Sequence, residues 1–86
     1  MSQQVNENIE VMAAFYGKDA PLVPLKFRWQ AKDYILKKPD FYHPTRDGYH
    51  TVHHFSLTDI DEQTYFKIAF HSGRLQWTLE EYEPCQ

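Results

Sequence analysis

In the stretch LKFRWQAKDYILKK (Leu25–Lys38), apolar and basic or polar residues alternate one for one from Leu25 to Gln30, break off, and resume at Tyr34. A strict period of two is the pleat of a strand with one wet face and one buried face. It places Leu25, Phe27 and Trp29 on one side and Lys26, Arg28 and Gln30 on the other; the returning strand places Tyr34 and Leu36 opposite in sense to Ile35 and Lys37. A turn through QAKD, with Gln30 facing Asp33, brings Trp29 to Tyr34 and Phe27 to Leu36, so that the large partners share one face. Each buried aromatic removes about 150–250 Å² from water, worth several kcal/mol for the set at about 25 cal/mol per Å². A small domain with a net stability of about 5 kcal/mol needs that face inside. The stretch reads as an amphipathic hairpin.

The same alternation extends outward. IEVMAAFY (Ile9–Tyr16) predicts a strand with Ile9, Val11, Ala13 and Phe15 on one face, ended by Gly17 and a loop from Pro21 to Pro24. Residues 1–8 read as a flexible N-terminus. PDFYHPTRDGYH, with two prolines and Asp47-Gly48, reads as an irregular loop over 39–49. HTVHHFSL (His50–Leu57), TYFKIAFH (Thr64–His71) and LQWTLEEY (Leu75–Tyr82) follow as three strands, joined by TDIDEQ and by a tight turn at Ser72-Gly73. Pairing around that turn brings Phe70 to Leu75, Ile68 to Trp77 and Phe66 to Leu79; pairing back brings Phe66 to Phe55 and Ile68 to His53. No window gives a helical stripe. The expected fold is all-β: about six antiparallel strands in a meander, as a twisted sheet or a partly closed small barrel. A single β domain over 9–83 and a C-terminal tail over 84–86 complete the organisation.

Eighty-six residues suffice for one domain, and six Phe, six Tyr and two Trp supply its core. The apolar run VMAAFY is far too short to span a bilayer, and MSQQVNEN lacks the regions of a signal peptide, so a cytoplasmic location without membrane association is expected. The single cysteine, Cys85, excludes an internal disulfide and a Cys-based zinc site.

The net charge of −3 is unevenly spread. Lys26, Arg28, Lys32, Lys37 and Lys38 face one acid, Asp33, in residues 25–38, whereas residues 57–86 hold six acids against Lys67 and Arg74. The basic hairpin face (Lys26, Arg28, Lys37) and the 39–49 loop (Tyr42, Arg46, Tyr49) are the candidate binding surface. With Lys26 opposite Lys37, like charges stand side by side, a small cost that a phosphate would relieve. Single-strand binders, however, want aromatics on the face that carries the cations, and the alternation separates Phe27 and Trp29 from Lys26 and Arg28.

Five histidines raise a metal hypothesis. His50 and His54 share a face but lie about 13 Å apart at about 3.3 Å per residue, too far to share one ion. The weak candidates are His50 opposite His71, with His43 nearby on the loop. DIDEQ lacks the ligand pattern of a calcium loop and reads as a polar connection. No phosphate loop, glycine-rich dinucleotide turn or nucleophile elbow occurs, so neither enzymatic activity nor a cofactor is expected.

The segments KFRWQAKDYILKK and HHFSLTDIDEQTYFKIAFHSGRLQWTLEEYE resemble a family of small uncharacterised bacterial all-β domains. These carry a hairpin F-R-W-x-G-x-x-Y-x-V and a later strand pair T-G-x-W-x-L-x-x-x-Y. The likeness touches Phe27, Arg28, Trp29, Tyr34, Gly73, Trp77, Leu79 and Tyr82, with Ala31 standing where the family tends to have glycine and Ser72 for threonine. The departure at Ala31 favours a four-residue type I turn over one that needs positive φ. The resemblance implies a compact β domain, and members encoded beside error-prone DNA polymerases imply an accessory role in DNA metabolism.

These observations predict a non-enzymatic interaction module that binds a protein partner through the basic hairpin face and the 39–49 loop. The alternatives are a nucleic-acid-associated module contacting phosphates and a histidine metal-binding domain. Exposed strand edges offer a route to strand addition or a homodimer.

Overall fold

The alternating stretches form seven strands in the computed structural model, which describes residues 3–15 and 22–85. They are β1 (Gln3–Phe15), β2 (Leu22–Trp29), β3 (Lys32–Ile35), β4 (Phe41–Asp47), β5 (His50–Thr58), β6 (Thr64–His71) and β7 (Gln76–Pro84). All pair antiparallel in one sheet of order β3-β2-β1-β7-β6-β5-β4. This is a meander whose first and last strands pair at the centre, leaving β3 and β4 at the two ends. The sheet does not close into a barrel; an isolated bridge, Leu36 to Asp59, joins the chain just beyond β3 to the chain just beyond β5.

Several boundaries differ from the sequence reading. Gln3–Asn8, expected to be loose, belong to β1 and pair with β7. Pro24, expected in a loop, lies fully buried in β2. Tyr16, Gly17 and Pro21 fall outside the described residues. The expected loop over 39–49 is instead strand β4, paired with β5 along its length, and its turn at Gly48. All seven residues of β4 are exposed, so this strand has no buried face to write an alternation into the sequence.

Three pairings are displaced by two residues from expectation with their faces kept. Phe27 meets Tyr34, Phe70 meets Trp77 and Phe55 meets Ile68. A slip of two preserves every side chain's face, so burial cannot choose between such registers and the turn decides. Gln30 and Ala31 have φ 53° and 60°, the left-handed pair of a two-residue type I′ hairpin rather than a type I turn. The last hairpin turns through Ser72–Leu75, and Leu75, expected in the strand, sits exposed at φ 53°.

Leu25 is the other exception. Met12 pairs with Lys26 and Ala13 with Pro24, so Leu25 is the extra residue of a β-bulge and leaves the inner face. Inside the sheet, Phe27, Leu57, Phe66, Ile68 and Leu79 are almost wholly buried. Phe66 meets the edge of Phe27 at 4.8 Å and packs 5.0 Å from Tyr34.

Candidate interaction surface

The outer face of the first hairpin is built in rungs. Glu10, Arg28 and Asp33 stand abreast across β1, β2 and β3, and Met12, Lys26 and Ile35 form the next rung. The Arg28 guanidinium donates to both carboxylate oxygens of Asp33, at 2.8 and 3.3 Å. That hydrogen bond, then the attraction of the opposite charges, raises the Arg28 pKa; hydrogen bonding to Arg28 lowers that of Asp33. Lys37 is likewise raised, first by its hydrogen bond to Glu62.

The expected juxtaposition of Lys26 with Lys37 does not occur, because the two-residue turn sets Ile35 against Lys26 and Asp33 against Arg28. The like-charge cost that a phosphate would relieve is therefore absent from that rung. Lys26 instead lies half-buried in the rung between Met12 and Ile35. Met12, Leu25, Ile35 and Ile60 are 58%, 38%, 54% and 59% exposed. Ile60 is held beside Ile35 by its backbone N–H, which donates to the Ile35 carbonyl at 2.8 Å. The hairpin face thus carries exposed apolar side chains on either side of Lys26, flanked by the ion pairs Arg28–Asp33 and Lys37–Glu62. Sequence reasoning missed Met12, Leu25 and Ile60, since the bulge and the pairing of distant segments expose and gather them.

The second candidate region is the β4–β5 hairpin. Tyr49 stands at its tip, 96% exposed, and Arg46 is exposed on β4. Tyr42 stacks on His53 and shares a hydrogen bond of 2.7 Å with its Nδ1. The His53 pKa is lowered, first by burial and then by His54.

The histidines serve β4. Thr45 Oγ1 meets His54 Nε2 at 2.8 Å, while His54 Nδ1 lies 3.2 Å from Glu80. The Glu80 carboxylate accepts from His54 Nδ1–H, and Nε2 shares its hydrogen bond with the threonine hydroxyl. His71 Nε2 meets Asp47 at 2.7 Å, and this hydrogen bond lowers the Asp47 pKa. His50 and His71 are close, 5.9 Å between rings, although His71 is registered against Val52. His43 stacks on His54, away from that pair. Among the described residues no group of three or more His, Cys, Asp or Glu is arranged to hold a metal ion.

In the connection read as DIDEQ, Asp59 is buried, and its Oδ1 accepts from the N–H groups of Gln63 at 2.7 Å and Thr64 at 3.3 Å. This carboxylate shapes the turn.

The chain matches no protein-family model, and comparison with curated proteins and with solved structures gives no match. Among the described residues no helix is long and apolar enough to cross a membrane.

Proposed function

We propose that this chain is a non-enzymatic, cytoplasmic interaction module that binds a protein partner through the outer face of β1–β3. The carrying observation is the patch of Met12, Leu25, Ile35 and Ile60 ringed by Arg28–Asp33 and Lys37–Glu62. An apolar centre with a polar rim is the anatomy of a protein contact. Lys26, Arg28 and Lys37 lie on this same face, and apolar burial is the driving force of the proposed contact. Tyr42, Arg46 and Tyr49 on the second hairpin form a further strip of contact.

The nucleic-acid alternative is weakened by the pairing of Arg28 and Lys37 with carboxylates, which a phosphate would have to displace. The resemblance to small bacterial domains with a DNA-metabolism neighbourhood is compatible with a protein partner in that setting.

Affinity capture from cell extract at 50 and 200 mM salt tests this reading, comparing the native chain with Met12→Glu/Ile35→Glu and Lys26→Glu/Arg28→Glu. The expected result is a partner retained at both salt concentrations and lost with the Met12/Ile35 variant. Capture lost at 200 mM salt, or abolished only by the charge variant, contradicts it.

A further inference from the structure

β4 joins the sheet without a dry side: all seven of its residues are exposed, and only β5 pairs with it. Its hairpin closes through Gly48 and Tyr49, so Asp47 with His50, Thr45 with Val52 and His43 with His54 are the hydrogen-bonded pairs. Beyond that ladder, every side-chain hydrogen bond from β4 among the described residues ends on an imidazole: Tyr42 on His53, Thr45 on His54 and Asp47 on His71. His43 adds a ring stack on His54, at 4.7 Å with the planes 6° apart.

Histidine is the side chain that ordinarily changes charge near neutral pH. The hydroxyls of Tyr42 and Thr45 either donate or accept, so their bonds to the rings outlast protonation, whereas the stacks do not. On the outer face, a proton on His54 faces the Glu80 carboxylate, 3.2 Å from Nδ1. A second proton, on His43, sets two cations face to face at 4.7 Å. Lys67, itself 3.5 Å from Glu81, lines the same cavity with Tyr65. On the inner face, His53 is stacked on both Tyr42 and Phe70. Burial, then His54, lowers its pKa from the ordinary 6.5. The fold therefore favours the neutral ring, and the stability this contributes is complete above pH 6.5 and declines as the pH falls below it. Arg46, on the same face of β4 as Tyr42, adds positive charge to that side.

The tip responds with the opposite sign. Asp47 meets His71 at 2.7 Å, with the Arg74 guanidinium at 4.0 Å and the His50 ring 5.9 Å from that of His71. The hydrogen bond to His71 lowers the Asp47 pKa from the ordinary 3.8, so the carboxylate remains charged while His71 gains its proton, and the two become an ion pair.

We infer that β4 is a proton-operated flap: below about pH 6 its first half, Phe41–Thr45, parts from β5 while the tip stays latched at Asp47 and His71. Release uncovers Phe55, on which Tyr42 packs at 5.3 Å, and bares the pairing edge of β5.

The test is amide hydrogen exchange of the full chain, read by NMR as protection factors at pH 7.5 and 5.0. Protection of the His43 and Thr45 amides is expected to fall by about tenfold or more at pH 5.0, while that of His50, Ile68 and Leu79 holds. His43→Phe/His53→Phe keeps the rings and removes the charge, and is expected to keep both amides protected at pH 5.0; Asp47→Asn is expected to extend the loss to His50. Unchanged protection of His43 and Thr45 in the native chain, an equal loss at Ile68 and Leu79, the same loss in the double Phe variant, or a His50 amide indifferent to Asp47→Asn overturns the inference. The first two outcomes are read on the native chain alone, so the test does not depend on the variants folding.

Discussion

Ala31 adopts φ 60° and Gln30 φ 53°, a conformation that costs a residue with a Cβ about 1 kcal/mol or more. The chain tolerates this because the turn is over-determined: Phe27 and Trp29 are buried behind it and Asp33 is clasped by Arg28 in front. Ala31→Gly should therefore stabilise the protein by about 1 kcal/mol, read as a raised urea midpoint with an unchanged slope. An unchanged or lowered midpoint would show that the turn is not left-handed at this position. Lys26, Arg28 and Lys37 were legible as surface residues from their period. Their ion-pair partners were not, because Asp33 faces Arg28 only in a register that the turn selects.

At the scale of the element, β4 is the strand that pattern reading could not see. Its hairpin closes through Gly48 and Tyr49, so Asp47 and His50 form the hydrogen-bonded pair and Pro44 falls in a non-bonded one. The Pro44 nitrogen then faces away from β5, where its missing proton costs the sheet nothing. The same placement removes the middle donor from the exposed edge, a guard against pairing with another copy. Pro44→Val should restore that donor and shift sedimentation towards larger species than the native chain forms at the same concentration. Identical sedimentation of the two proteins would mean that Pro44 does not limit edge pairing.

For the whole molecule, alternation is enough to give an all-β fold, and the faces of β2, β5 and β6 follow from it because each has one dry side. The closing contacts do not follow, since Leu36 meets Asp59 and Ile35 meets Ile60 across long separations in sequence. Those contacts bring Ile60 beside Ile35 and Glu62 within reach of Lys37. A net charge of −3 adds to the same balance, offering a polyanion little attraction outside local clusters. The central claim is that this face works by apolar contact and not by phosphate binding. The most direct measurement is a titration of the purified protein into labelled single- and double-stranded DNA and RNA at 50 and 200 mM salt, with Lys26→Glu/Arg28→Glu as control. The predicted result is no binding that depends on those two cations at either salt concentration. Binding that falls steeply with salt and disappears in the double variant would contradict the claim and assign the hairpin face to nucleic acid.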